Sequence, residues 1–533
     1  MTRQQPISVQ WLWSQHNEHR VPLARLIMLA MYRLCPDFRV CMYLNVLMMA
    51  VMAGLLIRCA HVIRGRVAVT DVFFPLVLIG FSQGLNFIWA WQVEFFVSTA
   101  IALFVLLIIS GYRETNPIKA AAQASIGLAL LVICGAHGLA LVPALALWTA
   151  VIALFGFPEN IVSVKRFRAL LFTLSAAVLC LVGFYFWGYQ KVPYFPTSPS
   201  ARHTVYTALQ FLTMSFGPAA EKWWPLSGII TTLVLALATA LIVETLLRQR
   251  SERVRAMGFL LFLGAMTSLG LAVGLGRSGF EPRYITLSVP VLRCAYLIFV
   301  VYARGRLLRV ASQGMLAIAL ICFPHNFQVG MEYGRSLRAN LASFEAEMRA
   351  GEPPHALIHK HMAYLHPNTQ ILDDYLPFLR RAGIGRFRFL SDNPQFKETT
   401  VPLTPIGAHS CDWNGRTGST TGKDGSIVFA VPQAQYVDGI RIRYAVKNRQ
   451  GTPPFFSIAW RSSFLGPFTK EKSYYVSPTG DRANWERGSW PRIGRPESEL
   501  TLWVSDQVRE IRIQPDAQPC AIRASIVRPS IER

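Results

Sequence analysis

The sequence predicts a polytopic α-helical membrane protein of about ten spans, followed by a C-terminal all-β sandwich of jelly-roll type. Three observations predict it. Of the 533 residues 52% are hydrophobic and only 16% are charged, which is too apolar for a soluble enzyme. The formal net charge of +23 gathers in short stretches between apolar runs, as positive-inside loops do. Beyond residue 400 the apolar period shortens to two, with Gly, Pro, Asn and Asp clusters between runs. A basic chain could also meet nucleic acid, but no binding motif accompanies the charge, and that partner is set aside.

Residues 1–37 read as an outer loop and an amphipathic surface helix. The first twenty residues are polar and show no apolar core of a cleavable signal peptide. Val21 to Leu34 is too short to span and carries Arg25 and Arg33, so it is expected to lie on the membrane surface. Residues 38–324 form the transmembrane domain. Its expected spans are Phe38–Ile57, Asp71–Gln83, Phe95–Ser110, Ala120–Ala136, Leu139–Phe157, Leu170–Trp187, Pro225–Leu247, Met257–Gly276, Ile285–Tyr302 and Val310–Pro324. Ala136-His-Gly138 is a tight turn between two of them. The loop Gly188–Trp224 holds an apolar, re-entrant piece at Val205–Phe216.

The strongly basic loops, such as Arg248–Arg255 and Arg304–Arg309, fall on alternate connections and belong in the cytoplasm. The Gln15–Arg20 run, the Trp89–Glu94 turn, the Arg277–Tyr284 turn and everything after Pro324 then share the opposite, periplasmic face. An even span count starts the N-terminus outside, so this reading expects a further span upstream of Met1 or an atypical start. Residues 325–399 are an outer helical connector, with helices at Ser336–Arg349 and Thr369–Arg381. Residues 400–533 are the sandwich, with strands at Ile427–Val431, Gly439–Ala445, Phe455–Trp460, Ser473–Val476, Glu499–Val504, Val508–Ile513 and Ala521–Val527.

The most ionisable run of the first hundred residues is Trp11-Leu-Trp-Ser-Gln-His-Asn-Glu-His-Arg20. Glu18 can take a proton or hold a divalent cation, with His16 and His19 beside it, and Arg20 can meet an anion or pair with Glu18. The plainer reading is a solvated juxtamembrane stretch with Trp anchors. In Arg277-Ser-Gly-Phe-Glu-Pro-Arg-Tyr284, Arg277 and Arg283 offer planar forks for phosphate oxygens, or else anchor the turn through Glu281. Arg202 and His203 could join that pocket. Glu94 either faces a cavity or is a helix-start acid, and Asp71 reads as a cap. His355, His359, His361 and His366 cluster without a carboxylate or Cys to complete a metal set. In the sandwich, Trp460, Tyr474, Tyr475, Trp485 and Trp490 serve either the core or sugar stacking.

No C-x-x-C pair is present, and most of the nine Cys sit in apolar runs. Cys411 and Cys520 are expected to pair if their domain meets an oxidising compartment. No phosphate-binding loop, dinucleotide fingerprint or serine-nucleophile elbow occurs.

Gln15-His-Asn-Glu-His-Arg20 followed by Pro22 and an amphipathic helix resembles the first outer loop of bacterial GT-C type membrane glycosyltransferases. These are relatives of protein mannosyltransferases and of arabinose- and galacturonic-acid-transferring enzymes. The Gln83-Gly-Leu-Asn-Phe-Ile-Trp-Ala-Trp-Gln92 run and Arg283-Tyr284 opening a late span are similar too. The resemblance covers roughly residues 10–325. It implies an inner-membrane enzyme that moves a sugar from a polyprenyl-phosphate donor to an envelope glycan, lipid or protein. It implies Glu18 as the catalytic carboxylate, which accepts the acceptor hydroxyl's proton, with His16, His19, Arg20, Glu94, Arg277, Arg283 and Tyr284 around the substrate. Such loops normally follow a first span and often hold an earlier acid, and no Asp or Glu precedes Glu18. Two other readings stand beside it: a flippase for a lipid-linked glycan, which needs polar groups and broken helices inside the membrane, and an inactive glycan-binding scaffold.

Overall fold

The computed structural model describes residues 7–365 apart from Asn17, Glu114, 157–163, 191–196 and 351–353. Beyond 365 it describes 372, 376, 379, 384–389, 399–409, 411–413, 418–420, 425–446, 456–469, 472–476, 498–515 and 520–528. The chain divides into two compact units, Arg3–Arg338 and Ala339–Arg533.

The first unit is helical. Among the described residues, nine helical stretches are long and apolar enough to cross a membrane by length and composition, from Arg39–Arg64 to Gly305–Arg349. A shorter apolar helix, Pro117–Val132, makes ten apolar segments in the order read from the sequence. The stretch Pro282–Tyr302 is buried along its whole apolar window. Most of its residues are apolar, which suits a helix enclosed by other helices. Even Arg293 is fully enclosed there, its guanidinium 5.1 Å over the Phe73 ring.

Small residues set the close packings. The expected re-entrant piece is a helix, Ala201–Thr213, laid against Arg253–Gly276. A Cβ at Gly274 would stand 2.3 Å from the Thr204 carbonyl oxygen, so only glycine lets the two backbones approach. Asp71 caps as expected: it accepts from the Ala68 amide at 3.0 Å. It also pairs with Arg64 at 2.6 Å and accepts from the Tyr296 hydroxyl at 3.0 Å. The span begun by Asp71 is broken into short pieces, Val69–Val72, Phe73–Leu78, Phe81–Gln83 and Gly84–Phe87.

At the end of the unit the structure differs from the sequence expectation of a last span closing at Pro324 and a separate helix at Ser336–Arg349. One helix runs Gly305–Arg349 with Pro324 inside it. A proline removes one backbone donor and crowds one carbonyl, which a helix with an apolar face can absorb. The expected helix at Thr369–Arg381 lies largely outside the described residues.

The second unit ends in antiparallel strands: β1 Thr399–Pro402, β2 Thr404–His409, β3 Cys411–Trp413, β4 Gly418–Thr420, β5 Ser426–Val446, β6 Phe456–Arg461, β7 Ser473–Val476, β8 Ser498–Pro515 and β9 Cys520–Arg528. The pairs expected at 427–431 with 439–445, and at 499–504 with 508–513, are the two halves of β5 and β8. The break expected between Val431 and Gly439 is instead a pair of register shifts within one strand, between Ala430 and Gln435 and between Val437 and Gly439. The first half of β5 lies between β2 and the C-terminal half of β8, which continues to β6 and β7. The second half of β5 lies between β9 and the N-terminal half of β8, and β9 carries β1 and β4 on its other edge. Two antiparallel sheets thus share β5 and β8. Ile427, Phe429, Val431, Ile440, Ile442, Ile458, Ile511, Ile513 and Ile526 belong to one apolar cluster. Trp460 is 4% exposed and belongs to that core. Trp485 and Trp490 lie outside the described residues.

Register also bears on Cys411 and Cys520. Cys411 stands opposite Thr420 of β4, and Ser419 stands opposite Ala521 of β9. Strand β4 therefore separates the two cysteines by two ladder spacings, roughly 10 Å. A disulfide needs Cα atoms within about 7 Å. The expected bridge does not fit this register.

Candidate functional site

The polar N-terminal run folds into a tight turn. The His16 amide donates to the His19 carbonyl at 2.7 Å, and the His19 amide returns the bond at 2.9 Å, leaving Glu18 at the turn. Two arginines fix this turn by holding backbone carbonyls. Arg20 donates to the carbonyls of Trp13 at 2.7 Å, Tyr185 at 3.0 Å and Trp187 at 2.8 Å. Arg25, from the helix Pro22–Leu34, donates to the Trp11, Leu12 and Ser14 carbonyls and lies 5.1 Å over the Trp11 ring. Gln15 pairs with the Gln190 backbone in both directions. Arg20, read as a partner for Glu18 or an anion, thus spends its donors on the scaffold.

Glu18 meets Arg277 instead. Nη2 of Arg277 lies 2.9 and 3.0 Å from the two carboxylate oxygens. Arg277 follows directly on the helix Arg253–Gly276, with an extended backbone that turns its side chain back. Its Nε donates to the Tyr284 hydroxyl at 3.1 Å and its Nη1 to the Gly276 carbonyl at 2.7 Å. Burial pulls this guanidinium down, but Tyr284 and Glu18 outweigh it and the net shift is upward. Arg283 lies 5.1 Å over the Tyr284 ring and 3.5 Å from Glu281. The turn between the two arginines uses Gly279 at φ +73°, a left-handed conformation that glycine adopts without cost.

A buried network holds this turn to the 83–92 run. Asn86 donates to Thr286 Oγ1 at 2.9 Å and to the Pro282 carbonyl at 3.3 Å, and Thr286 donates to Gln83 at 2.8 Å. The two stretches singled out in the sequence are therefore in contact.

Beside the ion pair lies an aromatic and imidazole layer. Tyr284 is 5.9 Å from Phe95, Phe95 is 4.9 Å from His137, and His137 is 5.8 Å from His19, between ring centroids. His16 packs 5.0 Å from Trp91. Glu94 is 6% exposed, and its Oε2 has no hydrogen-bond partner; the same holds for His19 Nδ1. Burial pushes the His19 imidazole down to about 3, aided by His137, His16, Arg277 and Arg283. Burial and Arg25 push His16 down to about 4. Both rings are neutral at pH 7, so the positive charge facing Glu18 comes from Arg277 and not from the histidines.

Residues of the same turn help to line an apolar groove of about 430 Å³. Phe280, Pro282 and Ile285 line it, facing Phe81, Leu85 and Val329. Ser82 lines it with a buried, unpartnered hydroxyl, and Lys222 and His325 stand at it with their nitrogens 3.4 Å apart.

Of the residues named from sequence, Glu18, His19, Arg277 and Tyr284 come together, with Arg283 acting on His19 and on Glu94. Arg202 and His203 form part of the first turn of the helix Ala201–Thr213, where the His203 amide donates to Ser200. His361 meets Glu347 at 2.8 Å in the other unit. His355, His359 and His366 have no described side chains. Sequence reasoning missed His137, read only as a turn residue, and Arg25, read only as a surface charge. Its missed signal was an ionisable ring inside an otherwise apolar pair of segments. Among the described residues no group of three His, Cys, Asp or Glu could hold a metal ion. Both oxygens of Glu18 are taken up by the Arg277 cation, an arrangement that does not suit a divalent cation at that carboxylate.

No family model matches the chain, and no curated protein matches it. Solved structures with a weak likeness include the following two. A low-affinity xylan-binding module from Roseburia intestinalis is 11% identical, with 25% of this chain covering 94% of that one at a TM-score of 0.16. A 4-O-methyl-α-glucuronidase with specificity for decorated arabinogalactans is 8% identical, with 44% of this chain covering 30% of that one at a TM-score of 0.16. Likeness at that level carries no argument about fold or function.

Proposed function

We propose that this protein is a membrane-spanning glycosyltransferase of the bacterial inner membrane. It moves a sugar from a polyprenyl-phosphate donor to an envelope glycan, lipid or protein on the periplasmic face. The nine long apolar helices and the shorter tenth are its spans, and the two antiparallel sheets pack as a periplasmic sandwich. One observation carries the reading: the turn whose first arginine holds the Glu18 carboxylate also lines an apolar groove, through Phe280 and Pro282. That combination suits a ligand with an anionic centre and an isoprenoid tail.

In this reading the tail lies in the groove and the phosphate meets Arg283 and Arg277. The acceptor oxygen forms a bond to the anomeric carbon as the bond to the phosphate oxygen breaks, inverting the centre. The leaving phosphate keeps the electron pair, and Glu18 takes the hydroxyl proton. While Arg277 holds it, Glu18 has both oxygens engaged. A phosphate that draws Arg277 toward itself frees the carboxylate, so the base is released when the donor is in place. The ion pair is open enough for this exchange, with Glu18 25% and Arg277 13% exposed.

A flippase for a lipid-linked glycan is the second reading. It is favoured by the broken stretch Val69–Phe87, which brings Gln83 and Asn86 into the buried contact with Thr286. Reconstitution separates the two. Vesicles containing the full chain are given a labelled polyprenyl-phosphate sugar and envelope acceptors. Transfer that falls about 10²- to 10⁴-fold in Glu18→Gln supports the enzyme. Movement of label between leaflets without transfer supports the flippase. Neither transfer nor movement, with intact folding, leaves the glycan-binding scaffold.

A further inference from the structure

The loop after β6 has an unusual summit. Leu465 is 98% exposed and Phe464 44% exposed. The loop is nevertheless tied down. Arg461 donates to the Gly466 carbonyl at 2.8 Å, Ser462 donates to the Gln507 carbonyl at 2.9 Å, and Lys472 donates to Ser462 at 2.9 Å. An apolar tip is thus presented by a fixed base and left uncovered by the described residues.

Cations flank the loop that carries the tip. The Arg509 guanidinium lies 4.3 Å over the Phe464 ring, and those of Arg512 and Arg461 lie 4.5 and 4.9 Å over Phe468. Lys472 adds a fourth cation at the base, and the carboxylate of Glu510 pairs with Arg461. Two classes of partner compete for such a surface. A sugar platform needs an open aromatic face, but here guanidinium groups cover the rings and the summit is aliphatic. An anionic bilayer surface needs a small apolar tip ringed by Arg and Lys at headgroup depth.

We infer that the 462–468 loop docks on an anionic membrane surface. Leu465 and Phe464 enter the boundary between headgroups and acyl chains, and Arg509, Arg512 and Lys472 meet lipid phosphates. The inference does not depend on the chemistry assigned to the helical unit.

Amide exchange tests it on the full chain in nanodiscs, with phosphatidylcholine alone compared with a mixture containing roughly one-third phosphatidylglycerol. The peptide covering 462–468 is expected to exchange about ten-fold more slowly in the anionic discs. Salt at roughly 0.5 M, which shortens the Debye length to a few ångströms, is expected to remove the difference. Leu465→Asp, and separately Arg509→Gln with Arg512→Gln, are expected to abolish it while the β5 peptide 437–442 stays protected. Leu465→Ser serves as the second variant should the aspartate disturb the sheet. Equal exchange of the wild-type loop in the two discs overturns the inference. So does undiminished slowing in both Leu465 variants, or slowing by a soluble acidic oligosaccharide without anionic lipid.

Discussion

Nη2 of Arg277 reaches both carboxylate oxygens of Glu18, at 2.9 and 3.0 Å, across 259 positions of chain. The contact joins the polar N-terminal turn to the mouth of the buried central helix. Either partner left alone keeps a part-buried charge without its counter-ion, whereas losing both leaves two neutral groups.

That asymmetry gives the first prediction. Glu18→Gln and Arg277→Gln should each lower stability in detergent by about 1–3 kcal/mol. The double variant should cost clearly less than the sum, because the two positions are in direct contact. Chemical unfolding of the four proteins measures this. Strictly additive losses would mean that the two side chains do not act as a pair.

Arg283 carries the second. It sits 40% exposed, over the Tyr284 ring and 3.5 Å from Glu281, so it can turn toward an entering phosphate at modest cost. Arg283→Ala should weaken binding of a polyprenyl-phosphate donor by roughly ten- to a hundred-fold, the equivalent of one charge-assisted contact. Arg283→Lys should recover part of it, since a point charge replaces a planar fork. Unchanged affinity in both variants would make Arg283 an anchor of the turn.

The third concerns pH. His19 is held at about 3 and His16 at about 4, below the ordinary 6.5. The folded state therefore refuses protons that the unfolded chain accepts. Stability from these rings is complete above about pH 6.5 and declines as pH falls toward 4 for His16 and 3 for His19. The slope is at most about 1.4 kcal/mol per pH unit for each ring. Unfolding at pH 7.5 and pH 5 should show the loss, and His19→Asn should flatten it. Imidazolium nitrogen resonances for either residue in folded protein at pH 5 would sink the prediction.

Strand register supplies the fourth. With β4 between them, Cys411 and Cys520 should both remain free thiols in native, oxidised protein. Alkylation without reductant followed by mass spectrometry reads this directly. An intramolecular Cys411–Cys520 peptide pair would mean that β3 and β4 pair otherwise.

Much of the helical unit is legible in the order of its residues. Runs of about 20 apolar residues mark the helices because a backbone buried among apolar side chains must satisfy its own hydrogen bonds. Among the described residues, nine long helical stretches and the shorter Pro117–Val132 follow the ten segments read from the chain. Breaks are less legible. Pro324 lies within a continuous helix, and Pro432 and Gly439 lie within one strand, because packing outweighs the local preference of a single residue.

The sequence by itself determined the ionisable groups and the stretches that carry them: Glu18 in the first polar run, Glu94 after the aromatic turn, Arg277 to Tyr284 before a late apolar segment. Only the tertiary structure decided which of them meet. Arg20 lies two residues from Glu18 yet turns its donors to backbone carbonyls, while Arg277 arrives from the far end of the unit. Charge and hydropathy are local properties that a linear reading carries in full. Ion pairing depends on the angle at which helices cross and on which carbonyls are left without donors, and those are properties of the packed assembly.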